Sequence, residues 1–255
     1  MDLFFRQVGD GSPVIILHGL FGFSDNWMTI AKRLGEKHKV FVPDLRNHGQ
    51  SFHSEEWNYN VMVEDLLNLI VKNEIENPVI LGHSMGGKVA MNFAAKYPDI
   101  LKKLIIVDIA PRFYPIHHQS ILDGLMNLDL GNVSSRSDAD HKLAQSVPEA
   151  DVRLFLLKNI ARDSDGKFIW KLNLPVISEN IENVGVGLLY SGITFAKPTL
   201  FIRGSRSGYV QPEDFKNIAE IYENCNFVTI ANSGHWVHAE NPVVFFKTVD
   251  YFLDL

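Results

Sequence analysis

The apolar residues of this chain fall into short runs that alternate with amphipathic segments. Six runs rich in valine and isoleucine predict buried parallel strands, at residues 13–17, 39–45, 78–82, 103–108, 198–204 and 226–234. Helix-like segments lie between and after these runs, at residues 26–37, 59–74, 86–98 and 241–253. The alternation predicts a mostly parallel, doubly wound α/β sheet, and residues 2–9 are expected to add an antiparallel edge strand.

One long stretch, residues 111–193, interrupts this rhythm. It is rich in histidine and polar residues and shows no alternation of strands with helices. It holds helix candidates such as residues 150–162, and a Trp-bearing stretch at 166–174. We therefore expect a core formed by residues 1–110 and 194–255, with the stretch inserted as a mostly helical cap over the C-terminal edge of the sheet.

Composition narrows the classes of function. A chain of 255 residues suits one sizeable domain with an inserted subdomain, and 46% hydrophobic with 21% charged residues is ordinary for a globular protein. The formal net charge of −6 disfavours a nucleic-acid-binding surface. We expect no signal peptide and no membrane span, because no early apolar run has the required pattern or length. The lone Cys225 fits a reducing cytoplasm, which is the expected location.

The strongest chemical signal is the segment Gly82-His83-Ser84-Met85-Gly86. It matches the pattern G-x-S-x-G, and its context makes the match specific, because an apolar strand precedes it and an amphipathic helix follows. In such a nucleophile elbow, glycines permit the tight turn that lifts the serine hydroxyl above the sheet. Ser84 is therefore the predicted nucleophile.

A serine nucleophile needs a base and a place for the negative charge that develops on the substrate oxygen. His235 directly follows the sixth predicted strand, where the chain order Ser–acid–His expects the base, whereas His238 is expected to have a packing or surface role. The predicted oxyanion donors are the backbone N–H groups of Met85 and of Leu20, which lies in the Gly-rich turn after an early strand. The neighbouring Phe21 is expected to line the pocket.

The acid is missing from its usual place, a few residues past the fifth predicted strand, where Ser207 stands instead. Asp108 is the best substitute, because it closes the strand that follows the elbow strand, and sequential strands are neighbours roughly two-thirds of the time. Two other carboxylates remain open. Asp214 is typical of a helix start, and Asp44 of a structural turn that bonds Arg46 or nearby backbone.

The chain resembles the α/β-hydrolase superfamily in four motifs that occur in the same order and spacing: HGLFG, PDLRNHGQS, GHSMGG and SGHWVHAENP. It also resembles the bacterial YbfF-like esterases in PDLRNHGQS (43–51), VDIAP (107–111) and FIWKLNL (168–174). This second resemblance implies hydrolysis of small esters and acyl-CoA thioesters without a metal or an organic cofactor. It also implies that the aspartate of VDIAP, Asp108, is the acid, and that the protein is a homodimer.

These features together predict a serine esterase or thioesterase that forms an acyl-enzyme, with a small-molecule substrate bound between the sheet edge and the cap. The residues expected to line the substrate pocket are aromatic: Phe21, Phe113, Tyr114, Phe168, Trp170 and Trp236. Arg112 and Arg206 are candidates to meet a CoA phosphate. A carbon–carbon bond hydrolase or a perhydrolase with the same triad, and a non-catalytic ligand receptor, remain open as alternatives.

Overall fold

The computed structural model describes residues 1–190 and 192–255. Its strands are β1 (Phe5–Val8), β2 (Ser12–Leu17), β3 (His38–Pro43), β4 (Val79–His83), β5 (Lys103–Val107), β6 (Ile160–Arg162), β7 (Phe168–Trp170), β8 (Thr199–Gly204) and β9 (Cys225–Ile230). Its α-helices are α1 (Met28–Leu34), α2 (Tyr59–Lys72), α3 (Met85–Lys96), α4 (Gln119–Asn127), α5 (Arg136–Leu143), α6 (Ala150–Leu156), α7 (Leu174–Glu179), α8 (Glu182–Gly185), α9 (Asp214–Ile221), α10 (Val237–Glu240) and α11 (Pro242–Asp254).

Seven of these strands form one sheet in the order β1-β3-β2-β4-β5-β8-β9. Strand β1 pairs antiparallel with β3, and the other pairs in this sheet are parallel. The prediction of a mostly parallel sheet with an antiparallel edge strand is confirmed. Because parallel strands end at the same edge, the segments that follow β4, β5, β8 and β9 all emerge at one edge of the sheet.

Helices cover both faces of this sheet, which explains why its central strands β2, β4 and β5 are mostly apolar. Ile15 of β2 is fully buried in a cluster with side chains of α2 and α3. The next residue, Ile16, is buried in a second cluster with side chains of α1 and α11. Successive side chains of a strand point to opposite faces, so a strand covered on both sides loses the alternation of apolar and polar residues.

Residues 111–193 carry helices α4 to α8 together with an antiparallel hairpin of β6 and β7. The helix predicted over residues 150–162 is wrong at its C-terminal end, because α6 stops at Leu156. Residues 160–162, the last three of the predicted helix, form β6 instead. A turn directs the chain back: the Asp163 carboxylate accepts hydrogen bonds from the N–H groups of Asp165 and Lys167, both at 2.9 Å. Gly166 completes the turn with a φ of 79°, a conformation that favours glycine.

Candidate active site

Ser84 occupies a strained turn between β4 and α3. Its backbone has φ 52° and ψ −119°, which is unusual for a residue with a side chain and costs of order 1–3 kcal/mol. The two glycines of the motif make the turn possible. A Cβ atom on Gly82 would lie 2.3 Å from the carbonyl oxygen of Gly86, and one on Gly86 would lie 2.5 Å from that of Leu17. The local geometry is that of the predicted elbow.

The carboxylate of Asp108 lies directly after β5 and is fully buried. Its Oδ2 atom is 2.8 Å from Nδ1 of His235, and its Oδ1 atom accepts the backbone N–H of Gly204 at 3.0 Å. Since a carboxylate only accepts hydrogen bonds, Nδ1 donates to it, and the tautomer that this contact selects leaves Nε2 as an acceptor. The structure thus brings together the acid and the base that were predicted 127 residues apart.

Ser207, which stands in the usual place of the acid, contacts Asp108, the predicted acid. Its hydroxyl donates a short hydrogen bond to Oδ2 of Asp108. The serine oxygen in turn accepts the backbone N–H of Tyr209 at 3.2 Å. The position of Ser207 was recognised from the sequence but this contact was not, although a hydroxyl in place of a carboxylate was the available signal.

Asp214, the first rival for the role of acid, is placed elsewhere. It begins α9, as predicted, and its Oδ1 atom is 2.8 Å from Nε of Arg112. Its Oδ2 atom accepts the backbone N–H of Gln211 at 2.8 Å. The Asp214 carboxylate is thus committed to an ion pair and a helix start.

Asp44, the second rival, holds a buried turn. Its two oxygens accept the backbone N–H groups of Ser24 at 2.6 Å and Gln50 at 2.8 Å. Of the two predicted partners, Asp44 bonds nearby backbone and not Arg46. The Arg46 guanidinium pairs instead with Asp65, at 2.5 and 2.8 Å. Asp44 shapes the turn and does not reach His235 through any contact of the described residues.

A cavity of about 230 Å³ lies beside Ser84 and His235, both of which line it. Much of its wall is apolar, built from Leu20, Phe21, Ile121, Phe155, Leu156 and Trp236. Phe21 and Trp236 are therefore where the sequence analysis expected them. Tyr114 lines a second, smaller cavity that Ser84 also lines. No hydrogen bond joins the side chains of Ser84 and His235 in the described part of the chain, and such bonds are often long before substrate binds.

Three of the predicted lining residues lie outside both cavities. Phe113 is 62% exposed and lies on a separate groove with Pro111. Phe168 and Trp170 belong to strand β7, where they are half-buried and pack against the core. The geometry of the cavities gives no support to a role for these three aromatic side chains in substrate binding.

The two predicted oxyanion donors lie close to Ser84, the predicted nucleophile. The loop after β2 packs directly on Ser84, because a Cβ atom on Gly19 would lie 3.1 Å from the Ser84 Cβ. Leu20 follows in that loop, and Met85 is the first residue of α3, whose N–H has no partner within the helix. In the described residues neither N–H donates to another backbone group outside the regular elements. Their role in binding an oxyanion remains a prediction.

Two buried histidines pack around His235. His83 donates from Nε2 to the backbone carbonyl of His235 at 2.9 Å, and burial lowers the pKa of His83 well below its ordinary value. His238 stacks on Trp27 with ring centroids 3.9 Å apart, and burial lowers the pKa of His238 to about 3. Both rings are neutral at pH 7. The packing role expected for His238 is therefore the one that its contacts support.

Two further histidines hold the loops that carry the predicted oxyanion donor. His18 donates from Nδ1 to the carbonyl of Gly19 at 2.8 Å and accepts the N–H of Leu45 at 2.9 Å. His48 accepts the N–H of Phe21 at 3.3 Å. Burial lowers the pKa of His18 to about 4 and that of His48 to about 3, so both act as neutral hydrogen-bonding groups.

Among residues 1–190 and 192–255, one group of side chains places enough ligand atoms together for a metal ion: His38, Asp250 and Asp254. The ammonium of Lys37 already bonds each of the two carboxylates at 3.1 Å. None of these residues lines the cavity beside Ser84. The chemistry available to Ser84 and His235 therefore draws on no metal ligand of this group.

The sequence matches the α/β-hydrolase fold family over residues 12–242. This chain belongs to that family. Among curated proteins, it is 32% identical to Esterase YbfF of Escherichia coli, over 96% of this chain and 94% of that protein. It is 36% identical to the sn-1-specific diacylglycerol lipase ABHD11 of Danio rerio, over 98% of this chain and 80% of that protein. The predicted resemblance to the YbfF-like esterases is confirmed.

A solved structure gives the same result for the fold. A marine microorganism esterase superimposes with a TM-score of 0.95 at 40% sequence identity, covering 98% of this chain and 99% of that one. The predicted α/β-hydrolase fold is confirmed. In the described residues, none of the helices combines the length and the apolar character needed to cross a bilayer.

Proposed function

We propose that this protein is a serine esterase in which Ser84 is the nucleophile, His235 the general base and Asp108 the acid that orients the base. The observation that carries the proposal is the 2.8 Å contact between Asp108 Oδ2 and His235 Nδ1, beside a cavity that Ser84 also lines. The strained turn at Ser84 supports the role of its hydroxyl as nucleophile. The coarser prediction, a hydrolase acting on ester bonds, is confirmed by relatives named as an esterase and a lipase.

The proposed reaction has two acyl-transfer steps. His235 accepts the hydroxyl proton of Ser84 as the serine oxygen attacks the carbonyl carbon, and the buried charge of Asp108 stabilises the imidazolium that forms. The N–H groups of Leu20 and Met85 bind the oxyanion of the tetrahedral intermediate. His235 then protonates the leaving alcohol. In the second step it activates a water molecule, which releases the acid and restores Ser84.

The cavity favours esters of small acyl groups. Its volume of about 230 Å³ is below the range of ~300–1,000 Å³ typical of sites for drug-sized ligands. Its wall is largely apolar, so an unbranched hydrocarbon chain gains hydrophobic stabilisation of ~0.8 kcal/mol per buried CH₂ group. We therefore propose short-chain carboxylic esters as the preferred class of substrate, with a diacylglycerol as the long-chain comparison suggested by the relative from Danio rerio.

Thioesters of CoA are the secondary class within this proposal. The two arginines considered for a CoA phosphate are both engaged with carboxylates: Arg112 with Asp214 at 2.8 Å and Arg206 with Glu240 at 3.0 Å. The Arg206 side chain is 65% exposed, so its pairing costs a ligand little to break. A substrate panel separates the esterase from the carbon–carbon bond hydrolase and the perhydrolase. It contains esters, thioesters and substrates with a cleavable carbon–carbon bond, together with an assay under peracid-forming conditions.

We also propose that residues 111–193 form a cap over the site and that residues 1–110 and 194–255 form the core. The cavity wall supports this division, because Phe155 comes from the proposed cap and Trp236 from the core. Lys88 of α3, one turn after Ser84, donates to the carbonyl oxygen of Val186 near the end of the cap. A cytoplasmic location and a homodimer stay predictions.

The decisive experiment compares p-nitrophenyl butyrate hydrolysis by wild type, Asp108→Asn and Asp214→Asn, with Ser84→Ala as the blank. We expect Asp108→Asn to lower kcat by about 10⁴-fold, because the amide would hold the imidazole in the wrong tautomer. Asp214→Asn is the matched control, which removes a carboxylate charge outside the proposed triad. Near wild-type activity of Asp108→Asn would refute the proposed acid. Measurable activity that is equal in Ser84→Ala and wild type would refute the proposed serine esterase. If both proteins were inert on every ester, the non-catalytic receptor would be the alternative that is left.

A further inference from the structure

The ring of Tyr209 lies flat against the imidazole of His235. Their centroids are 3.9 Å apart and their planes meet at 19°, while the Tyr209 hydroxyl is hydrogen-bonded to Nε2 of His117 at 2.7 Å. We propose that Tyr209 is the positioning residue that fixes the plane of the His235 ring, and that the first segment of the cap, residues 112–117, holds Tyr209 in place. This inference rests on the proposed function, since it assigns His235 the role of base.

The contact with Asp108 alone does not fix the His235 ring. The hydrogen bond at Nδ1 restrains one edge of the ring, but it makes no contact with either face of the imidazole. His83 restricts the ring from another direction, with centroids 4.7 Å apart and planes tilted by 42°. The parallel Tyr209 ring covers a face of the imidazole and so fixes the direction in which Nε2 of His235 points. Such a direction is required for a base that must meet the serine proton at hydrogen-bond distance.

Tyr209 is suited to this role because it remains neutral. Burial, followed by the negative charge of Asp108, raises the pKa of the Tyr209 hydroxyl to about 12. The ring is therefore an uncharged aromatic partner at neutral pH. An aromatic face also attracts a cation, so Tyr209 favours the imidazolium that His235 becomes during the reaction.

The backbone of Tyr209 joins the cap to the acid. Its carbonyl oxygen accepts the hydroxyl of Tyr114 at 2.5 Å and Nη2 of Arg112 at 3.4 Å, both from the first segment of the cap. Its N–H donates to Ser207, which in turn donates to Asp108. One residue therefore contacts the base through its ring, the acid through Ser207, and the cap through its carbonyl and hydroxyl groups.

The test compares Tyr209→Leu with Tyr209→Phe on p-nitrophenyl butyrate. Tyr209→Leu removes the flat ring, and we expect kcat to fall about tenfold, separately from any change in KM, since Tyr209 also lines the cavity. Tyr209→Phe keeps the ring and is expected to restore kcat to within about threefold of wild type. The rate of Ser84 labelling by a fluorophosphonate should fall with kcat, since it reports how well His235 activates the serine.

His117 gives a second test that does not depend on a buried substitution. His117→Ala is expected to lower kcat about threefold, because it removes one hydrogen bond to the Tyr209 hydroxyl. The same change made in Tyr209→Phe should have no effect, because the hydroxyl is already absent. His117 is exposed, so this variant is expected to fold even if Tyr209→Leu does not.

Three results would overturn the inference. These are equal kcat for Tyr209→Leu and Tyr209→Phe, a rise in KM with kcat unchanged, and an effect of His117→Ala that persists in Tyr209→Phe. A rise in KM alone would make Tyr209 a wall of the cavity only. Failure of the proposed function has a different signature, since Ser84→Ala would then match wild type whatever the residue at position 209.

Discussion

Exchanging the residue types at positions 108 and 207 should move the acid to its usual place and keep an active enzyme. In the wild-type protein, the hydroxyl of Ser207 and Nδ1 of His235 both bond the same oxygen, Oδ2 of Asp108. Two atoms that share one acceptor lie within two hydrogen-bond lengths of each other, about 6 Å at most. An aspartate at position 207 carries its oxygens one bond further from the backbone than serine does, which brings a carboxylate within reach of His235.

The size of the expected effect follows from the loss of the acid. Asp108→Ser should lower kcat by about 10⁴-fold, which corresponds to about 5.4 kcal/mol of transition-state stabilisation. We expect the double variant Asp108→Ser/Ser207→Asp to recover about 100-fold of this loss. Full recovery is not expected, because the Gly204 N–H that bonds Asp108 Oδ1 loses its charged partner.

The single variant Ser207→Asp is the matched control. It places two buried carboxylates within hydrogen-bond distance of each other, and like charges at that distance prevent both from ionising. It should therefore unfold at lower urea concentration than either wild type or the double variant. The assays are kcat/KM with p-nitrophenyl butyrate and urea unfolding for all four proteins. A folded double variant no more active than Asp108→Ser would refute the reasoning from the shared acceptor.

Two further predictions concern stability. Burial lowers the pKa of His18 from 6.5 to about 4. Between these two pH values the unfolded chain binds a proton at His18 that the folded chain does not. The stability that neutral His18 contributes above pH 6.5 is therefore lost as pH falls. Between pH 7.5 and 5, urea unfolding should show wild type losing about 2 kcal/mol more than His18→Gln, and equal losses would contradict the assignment. Gly86→Ala should lower the free energy of unfolding by about 1–3 kcal/mol, since its methyl group would lie 2.5 Å from the carbonyl oxygen of Leu17. Gly208→Ala is the control, because its nearest neighbour would lie at 3.8 Å, and equal thermal stability of the two variants would refute the crowding argument.

Much of the fold and the centre of the site could be predicted because their signals are local. A strand buried on both faces shows itself as an apolar run, and the elbow shows itself as glycines around Ser84 between a strand and a helix. The choice of Asp108 needed one further step, the assumption that sequential strands are neighbours. Strand β5 does pair with β4, and the register places Val107 opposite His83, so the residues that follow each strand are adjacent.

The parts that could not be predicted depend on contacts between distant segments. The bond from Ser207 to Asp108 spans 99 residues, and the stack of Tyr209 on His235 joins two loops. Nothing in the local sequence gives the direction in which an aromatic side chain of residues 111–193 points. Trp170 was therefore expected in the pocket and lies in a hairpin strand, where it is half-buried.

The pairing of β5 with β8 explains how the proposed acid, Asp108, can take the place of a carboxylate after β8. Both strands end at the same edge, and the register places Val107 opposite Ile202, so Asp108 lies beside the end of β8 and accepts the N–H of Gly204. The chain order Ser–acid–His is the same for an acid after β5 or after β8, so order alone does not distinguish the two. The surroundings of the carboxylate do distinguish the two positions. Three donors bond the carboxylate after β5, Asp108: the Gly204 N–H, the Ser207 hydroxyl and His235 Nδ1. A small donor at position 207 is thus part of what makes an acid on β5 possible, since an apolar side chain there would leave Oδ2 with a single donor and weaken the stabilisation of its buried charge.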